Sequence, residues 1–204
     1  MSLDFRPCTP EDKNSIVPLI YSSGPKTFDY VFSVDYATQS QDFLHYAYQC
    51  EQGQFSYSEH TAAIYEDDIV ASGCLTSGGQ MLKHMWHNLI QIFAFYGVIK
   101  GINVLRRGLK VERIIPPPSK DTAYICNLGA EVKGKGYGSQ LIEQFEEAAR
   151  ENDHDVIALD VADGNTHARR LYDRLGFISE KYRPAYEEGR WGLLEGHTYM
   201  EKSI

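Results

Sequence analysis

Three glycines alternate with other residues in the stretch VKGKGYGSQL, residues 132–141, and two lysines stand beside them. Glycine at this density permits positive φ angles and lets a ligand approach the backbone closely. The segment that follows, residues 139–151, has the apolar spacing of a helix. A glycine-rich loop that leads into a helix offers backbone N–H groups and the positive end of a helix dipole, so it predicts a phosphate-binding site.

Two nucleotide-binding motifs fit this loop incompletely. The Walker pattern G-x-x-x-x-G-K-[ST] matches Gly129, Gly134 and Lys135, but position 136 is glycine where that loop has the hydroxyl that binds magnesium. The dinucleotide fingerprint G-x-G-x-x-G matches Gly134 and Gly136, but Ser139 occupies the third glycine position and the motif comes late in the chain. Both remain as the weaker alternatives, beside a glycine turn that binds nothing.

A second motif follows the loop at a distance. Asn165 and Tyr172 lie in the segment NTHARRLYDRLGF, where positions three or four apart share one face of a helix. Residues 133–138 and this segment together resemble the two acetyl-CoA motifs of the GNAT acetyltransferase superfamily, Gln/Arg-x-x-Gly-x-Gly/Ala and Asn…Ala…Leu-Tyr-x-x-Leu-Gly-Phe. Lys133 departs from the first motif, which has Gln or Arg there. The resemblance covers residues 122–202 closely and the N-terminal half more loosely.

The resemblance implies where acetyl-CoA binds. Backbone groups of residues 128–130 would contact the pantetheine arm, and N–H groups of residues 134–139 would bind the pyrophosphate. Lys133 and Lys135 would add positive charge, and Asn165 would bond the pantetheine arm or cap the helix that it precedes. The predicted cofactor-binding set is Leu128, Gly129, Ala130, Lys133, Gly134, Lys135, Gly136, Tyr137, Gly138, Ser139 and Asn165.

Two side chains are candidates for catalysis. By the same resemblance, Tyr172 is the general acid that protonates the thiolate of coenzyme A; the alternative is a tyrosine of the core. An amine acceptor is mostly protonated at neutral pH, so a base or a water chain must remove a proton from it. Asp160 is the candidate base, because it is acidic within the apolar strand DVIALDVA, where Leu159 and Val161 point to the other face of the sheet. Its alternative is a polar residue at the open end of the strand.

Composition limits the class of partner. The 204 residues carry a net charge of -8, which argues against nucleic acid as the main partner but allows a small anion at a local positive site. The four cysteines show no CxxC spacing and the N-terminus has no basic apolar leader, so a cytoplasmic protein with reduced thiols is expected. The predicted partners are acetyl-CoA and an unidentified amine, without a metal, nucleic acid or membrane; the apolar insertion at residues 79–120 allows a homodimer.

The pattern of elements predicts one α/β domain over residues 1–204. The resemblance implies a mixed, largely antiparallel sheet with a central splayed parallel strand pair, helices on both faces, and a helical insertion before the central strand. The expected function is transfer of an acetyl group from acetyl-CoA to a primary amine by direct attack; the alternative is an acyl-CoA-binding regulatory module without turnover. Strands are predicted near 3–8, 60–66, 69–76, 122–130, 155–162, 177–183 and 197–202, and helices near 9–23, 35–50, 79–110, 139–151 and 165–176.

Overall fold

The computed structural model describes residues 3–132 and 134–204. Three helices follow the first strand, and the later helices are interspersed with strands. The strands are β1 (Asp4–Pro7), β2 (Thr61–Tyr65), β3 (Asp68–Ser77), β4 (Ala123–Ala130), β5 (Val156–Ala162), β6 (Ile178–Glu188) and β7 (Leu193–Ser203). The helices are α1 (Lys13–Ser23), α2 (Pro25–Phe32), α3 (Gln39–Tyr48), α4 (Gly78–Ile114), α5 (Tyr137–Glu151) and α6 (Thr166–Arg174).

All of these strands belong to one sheet, in the order β1-β2-β3-β4-β5-β7-β6. Each neighbouring pair is antiparallel except β4 and β5, which are parallel and lie near the middle. The connection between these two strands contains α5, as a parallel crossover requires. The predicted mixed sheet with a central parallel pair and a helical insertion before the central strand is confirmed. That residues 1–204 form a single domain stays a prediction.

Apolar side chains cover both faces of the sheet. One face packs against α5 and α6 through a core that includes Leu141 and Phe145 from α5. The other face packs against α1 to α4, with Ile16 and Phe43 in its core. Successive strand residues alternate between these cores, since side chains of a strand point to opposite faces. Leu159 and Val161 belong to the core on the α5 face, so the alternation places Asp160 on the opposite face.

Several helical and strand boundaries differ from the sequence prediction, among them the following. Helix α2 was not predicted; it begins at Pro25, directly after Gly24, where the missing N–H of proline costs nothing. Helix α5 begins at Tyr137, two residues before the predicted start. The final hairpin extends well beyond 183, because a register shift between Arg183 and Tyr186 accommodates Pro184 within β6.

The insertion before β4 is α4, which consists of two helical segments that meet at a kink at Gly97, where φ is 70° and ψ is 175°. By length and composition α4 could cross a membrane: its most apolar 18-residue window has a mean hydropathy of 1.4, and 28% of that window is buried. Helices that pack against the core of a soluble protein pass the same test, and Tyr96 and Val104 of α4 are buried in the α1–α4 core. The prediction that no membrane is involved stays a prediction.

Candidate functional site

The two parallel strands separate soon after they meet. Among the described residues, β4 and β5 pair only at Ala123 with Ile157 and at Tyr124 with Ala158. Beyond these pairs β4 carries a bulge opposite β3, and Asn127 in the bulge has a φ of 54°. A bulge bends its strand and increases the local twist, so the later part of β4 leaves β5. The result is an opening between two strands whose backbone groups are available to a bound molecule.

A buried histidine holds the bulge in place. The ring of His60 lies between two partners: its Nδ1 is 2.8 Å from the carbonyl oxygen of Ser56, and its Nε2 is 3.3 Å from the side-chain nitrogen of Asn127. Burial lowers the pKa of His60 to about 4, so the ring is neutral at pH 7. A neutral ring that donates from Nδ1 to Ser56 can accept at Nε2 from the Asn127 amide.

The glycine loop follows β4 and leads into α5. Gly134 and Gly136 have φ angles of 84° and 85°, a region that side-chain-bearing residues rarely adopt. No described atom lies within 4 Å of where a Cβ would stand at either position, so both backbone segments face free space. Lys135 is exposed beside them, and Lys133 lies outside the described residues. The glycine loop and the first turn of α5 together offer backbone N–H groups that can bind an anion.

Two of the predicted binding residues have packing roles of their own. The ring of Tyr137 is buried in the core on the α5 face, 6.2 Å from the ring centre of Tyr65. At Gly129 a Cβ would overlap the carbonyl oxygen of Leu19, so this glycine lets α1 approach β4 closely. At Tyr137 only the backbone is therefore free to contact a ligand. Neither residue's predicted binding role is tested by this packing.

The remaining predicted residues of this region border the opening. Leu128 and Ala130 are half-buried and pack against the core of the α5 face. Gly138 and Ser139 lie in the first turn of α5, where the N–H groups have no partner within the helix. Asn165 precedes α6, and its side-chain oxygen accepts a hydrogen bond of 3.2 Å from the backbone N–H of Ala168. Asn165 is thus an N-cap, the alternative that the sequence allowed.

Tyr172 lies on α6 and is buried, with its ring centre 5.9 Å from that of Phe177. Burial raises the pKa of Tyr172 to about 12, and no described residue contributes to that shift by a hydrogen bond or a charge. Its hydroxyl is therefore protonated at pH 7 and available as a donor. The hydroxyl can donate a proton, but burial makes it a weaker acid than a free tyrosine.

Asp160 is the centre of a buried polar cluster. Its two carboxylate oxygens have separate partners: Oδ2 accepts from the hydroxyl of Tyr124 at 2.9 Å, and Oδ1 lies 3.2 Å from Nη1 of Arg183. Burial raises the pKa of Asp160, while the Tyr124 hydrogen bond and the Arg183 charge act in the opposite direction. His197, on the neighbouring strand β7, is also buried, and burial lowers its pKa. The carboxylate is buried although it lies only two residues before the end of β5 at Ala162.

Sequence reasoning missed the partners of Asp160 and the residues that fix the bulge. Tyr124 and Arg183 come from distant strands, so their spacing along the chain carries no signal. Asn127 could have been noticed, since Asn is one of the few residues other than glycine that tolerate positive φ. Its partner His60 is 67 residues away, which no local pattern reveals. No group of three or more His, Cys, Asp or Glu in the described ranges is arranged to hold a metal.

Comparison with known proteins agrees with the fold and the motifs. The profile of the acetyltransferase (GNAT) family matches residues 28–177, well over half of the chain. The match defines the class of protein, an acetyltransferase. The chain belongs to the GNAT family, whose members take the acetyl group from acetyl-CoA.

One curated relative is the 5-NmdU N-acetyltransferase of Pseudomonas phage PaMx11, which is 31% identical over 88 residues. The alignment covers 43% of this chain and 56% of the relative, so it spans about half the length of that protein.

Solved structures share the fold over nearly the full length. An N-acetyltransferase from Staphylococcus aureus Mu50 has a TM-score of 0.65 at 16% identity, covering 98% of this chain and all of its own. The polyamine N-acetyltransferase of Drosophila melanogaster has a TM-score of 0.57 at 14% identity and covers both chains completely. At these identities the likeness shows the fold.

Proposed function

We propose that this protein transfers the acetyl group of acetyl-CoA to a primary amine by direct attack of the amine within a ternary complex. The observation that carries the proposal is the opening between β4 and β5, which adjoins a glycine loop with two positive φ angles and free space. An acyl-CoA has an extended arm and a pyrophosphate. The opening between the strands suits the arm, and the glycine loop suits the pyrophosphate. The family match supports acetyl-CoA as the donor. That the acceptor is a primary amine is part of the proposal.

Each part of the donor has a matching group in this chain. Backbone groups of Leu128, Gly129 and Ala130 would bond the pantetheine arm at the edge that β5 leaves free. N–H groups of residues 134–139, at the start of α5, would bind the pyrophosphate, with added charge from Lys133 and Lys135. Asn165 would orient the arm while it caps α6.

Two proton transfers accompany the reaction. Acetyl-CoA supplies a thioester, whose cleavage by an amine needs a proton at the departing sulfur. Tyr172 would give that proton from its hydroxyl, which is protonated at pH 7. Asp160 would accept the proton that the attacking amine loses, directly or through the Tyr124 hydroxyl that is bonded to it. The Arg183 charge then stabilises the ionised carboxylate before each turnover.

Several amines are candidates for the acceptor. The phage relative is named for acetylating 5-NmdU, which makes that compound one candidate amine for this chain. A net charge of -8 favours cationic amines, such as polyamines or lysine side chains, as further candidates. A cytoplasmic location and a homodimer stay predictions.

Release of the free thiol from acetyl-CoA tests the proposal across a panel of 5-NmdU, polyamines and a lysine-containing peptide. We expect amine-dependent release with at least one member and a matching acetylated product by mass spectrometry. The alternative function, a regulatory module that binds acyl-CoA without turnover, predicts tight coenzyme A binding in calorimetry and no amine-dependent release. Protection against thermal unfolding by ATP or NAD, but not by coenzyme A, would contradict both.

A further inference from the structure

A cationic pocket of about 410 Å³ lies between the end of α2 and the second half of α4. Four of its lining side chains are basic, namely Arg106, Arg107, Lys110 and Arg190, and none of its described lining residues is acidic. This is unusual for a chain with a net charge of -8. The excess is local to α4, because residues 78–114 contain six Lys or Arg and one Glu.

Arg107 is the inner residue of this pocket. Its Nη1 donates to the carbonyl oxygen of Ser33 at 2.9 Å, which fixes the guanidinium against the end of α2. Its Nε is buried and has no hydrogen-bond partner among the described residues. No described carboxylate lies within ion-pairing distance of Arg107, and burial lowers its pKa. A half-buried guanidinium without a counter-charge costs free energy, which an anion bound nearby would offset.

The other three cations differ in how far they are neutralised. Lys110 forms an ion pair with Glu187, so its charge is compensated. Arg190 lies over the ring of Trp191, with 4.7 Å between its Cζ and the ring centre, which restricts the guanidinium without neutralising it. Arg106 is exposed and has no described ion-pair partner. Three guanidinium groups from two separate segments therefore converge with uncompensated charge.

We infer that this pocket binds a phosphate-bearing small molecule. The planar fork of arginine matches phosphate oxygens, and three arginines without a described counter-charge line this pocket. A phosphate monoester carries about -1.5 to -2 charges at pH 7, so it balances three arginines better than a single carboxylate does. The pocket is built from the α1–α4 side of the sheet and the β6–β7 turn, whereas the glycine loop leads into α5 on the opposite face. The inference therefore adds a second anion site to the proposed donor site.

Calorimetric titration with inorganic phosphate tests the inference, in a buffer without phosphate and with coenzyme A at saturation to occupy the glycine loop. We expect saturable binding of one phosphate per chain. Arg107→Gln should weaken it at least tenfold, and Arg107→Lys should also weaken it, since lysine keeps the charge but lacks the fork. Arg113→Gln is the matched control, because it removes the same charge from an exposed position of α4 outside the pocket. If Arg107→Gln fails to fold, the double variant with Arg106→Gln and Arg190→Gln replaces it.

Three results would overturn the inference. The first is the absence of saturable phosphate binding to the wild-type protein. The second is an equal loss in Arg113→Gln and Arg107→Gln, which would reduce the effect to net charge. The third is binding that coenzyme A abolishes and Arg107→Gln leaves intact, which would place the phosphate in the glycine loop. None of these readouts needs acetyl transfer, so the inference can fail independently of the proposed function.

Two amines then distinguish whether the phosphate is free or part of the acceptor. This second experiment rests on the proposed acetyl transfer. Phosphoethanolamine carries amine and phosphate together, and ethanolamine is its unphosphorylated counterpart. If the phosphate belongs to the acceptor, Arg107→Gln should raise KM for phosphoethanolamine at least tenfold and leave KM for ethanolamine within twofold. If the ligand is free phosphate, the variant should change both KM values equally and should abolish the rise in Tm that phosphate gives the wild-type protein.

Discussion

At the scale of single residues, Tyr172 is both a buried residue of the core and the proposed general acid. The ring packs against Phe177 in the core, so Tyr172→Phe keeps the packing and removes only the hydroxyl. We expect kcat for thiol release to fall about 100-fold or more, which is the lower range for loss of a general acid. Coenzyme A affinity in calorimetry should stay within twofold. A kcat within threefold of the wild-type value would show that the hydroxyl does not donate the proton.

Asp160 requires a test that separates chemistry from stability. Asp160→Asn removes the proposed base but leaves the half-buried Arg183 without its counter-charge, a loss that costs about 3–5 kcal/mol in fully buried pairs and less here. The double variant Asp160→Asn/Arg183→Gln removes both charges and should regain most of the lost stability in urea unfolding. Its kcat should remain about 100-fold below wild type. Recovery of activity together with stability would assign Asp160 a structural role only.

At the scale of elements, two glycines give opposite predictions for the same substitution. At Gly129 a Cβ would overlap the backbone of α1, so Gly129→Ala should lower Tm and the free energy of unfolding by several kcal/mol. At Gly136 a Cβ meets only free space, so Gly136→Ala should cost about 1–2 kcal/mol from its positive φ. The substitution at Gly136 should instead weaken coenzyme A binding at least tenfold in calorimetry. Similar effects of both variants on Tm and on binding would contradict this division.

Some helices and strands could be predicted from the sequence, and others could not. The hairpin of β2 and β3 was predictable, because two strand patterns flank Asp67 and Asp68, and the turn forms with positive φ at Glu66 and Asp67. The loop and the α6 motif were predictable for the same reason, since each is a local pattern. The bulge in β4 was not, because it depends on a hydrogen bond between Asn127 and a histidine of another segment.

Some residues of the candidate site could likewise be predicted from local sequence patterns, and others could not. Tyr172 and the glycines have fixed distances within known motifs, so the sequence predicts where they stand. The pairing of Asp160 with Arg183 and Tyr124 depends on how β5 sits between β4 and β7, which only the fold determines. The cationic pocket is more distant still, since Arg107 and Arg190 approach each other only after the β6–β7 hairpin packs against α2.

At the scale of the whole molecule, the pH dependence of folding should report the buried His60. Its pKa is about 4 in the folded protein and about 6.5 in an unfolded chain, so the unfolded state binds more protons between these values. Stability should therefore decrease as pH falls from about 6.5 to about 4, and this residue adds no further loss below that. The shift corresponds to roughly 3 kcal/mol, since one pKa unit is about 1.4 kcal/mol.

Urea unfolding of the wild-type protein and of His60→Gln at several pH values between 4 and 7 measures this contribution by difference. The wild-type protein should lose about 3 kcal/mol more than the variant over this range, because glutamine does not titrate. Other buried histidines, such as His197, are present in both proteins and cancel in the comparison. His167→Gln, at an exposed position, serves as the control and should follow the wild-type curve. Parallel curves for the wild-type protein and His60→Gln would mean that His60 is accessible to protons in the folded state, and that the bulge does not depend on a neutral ring.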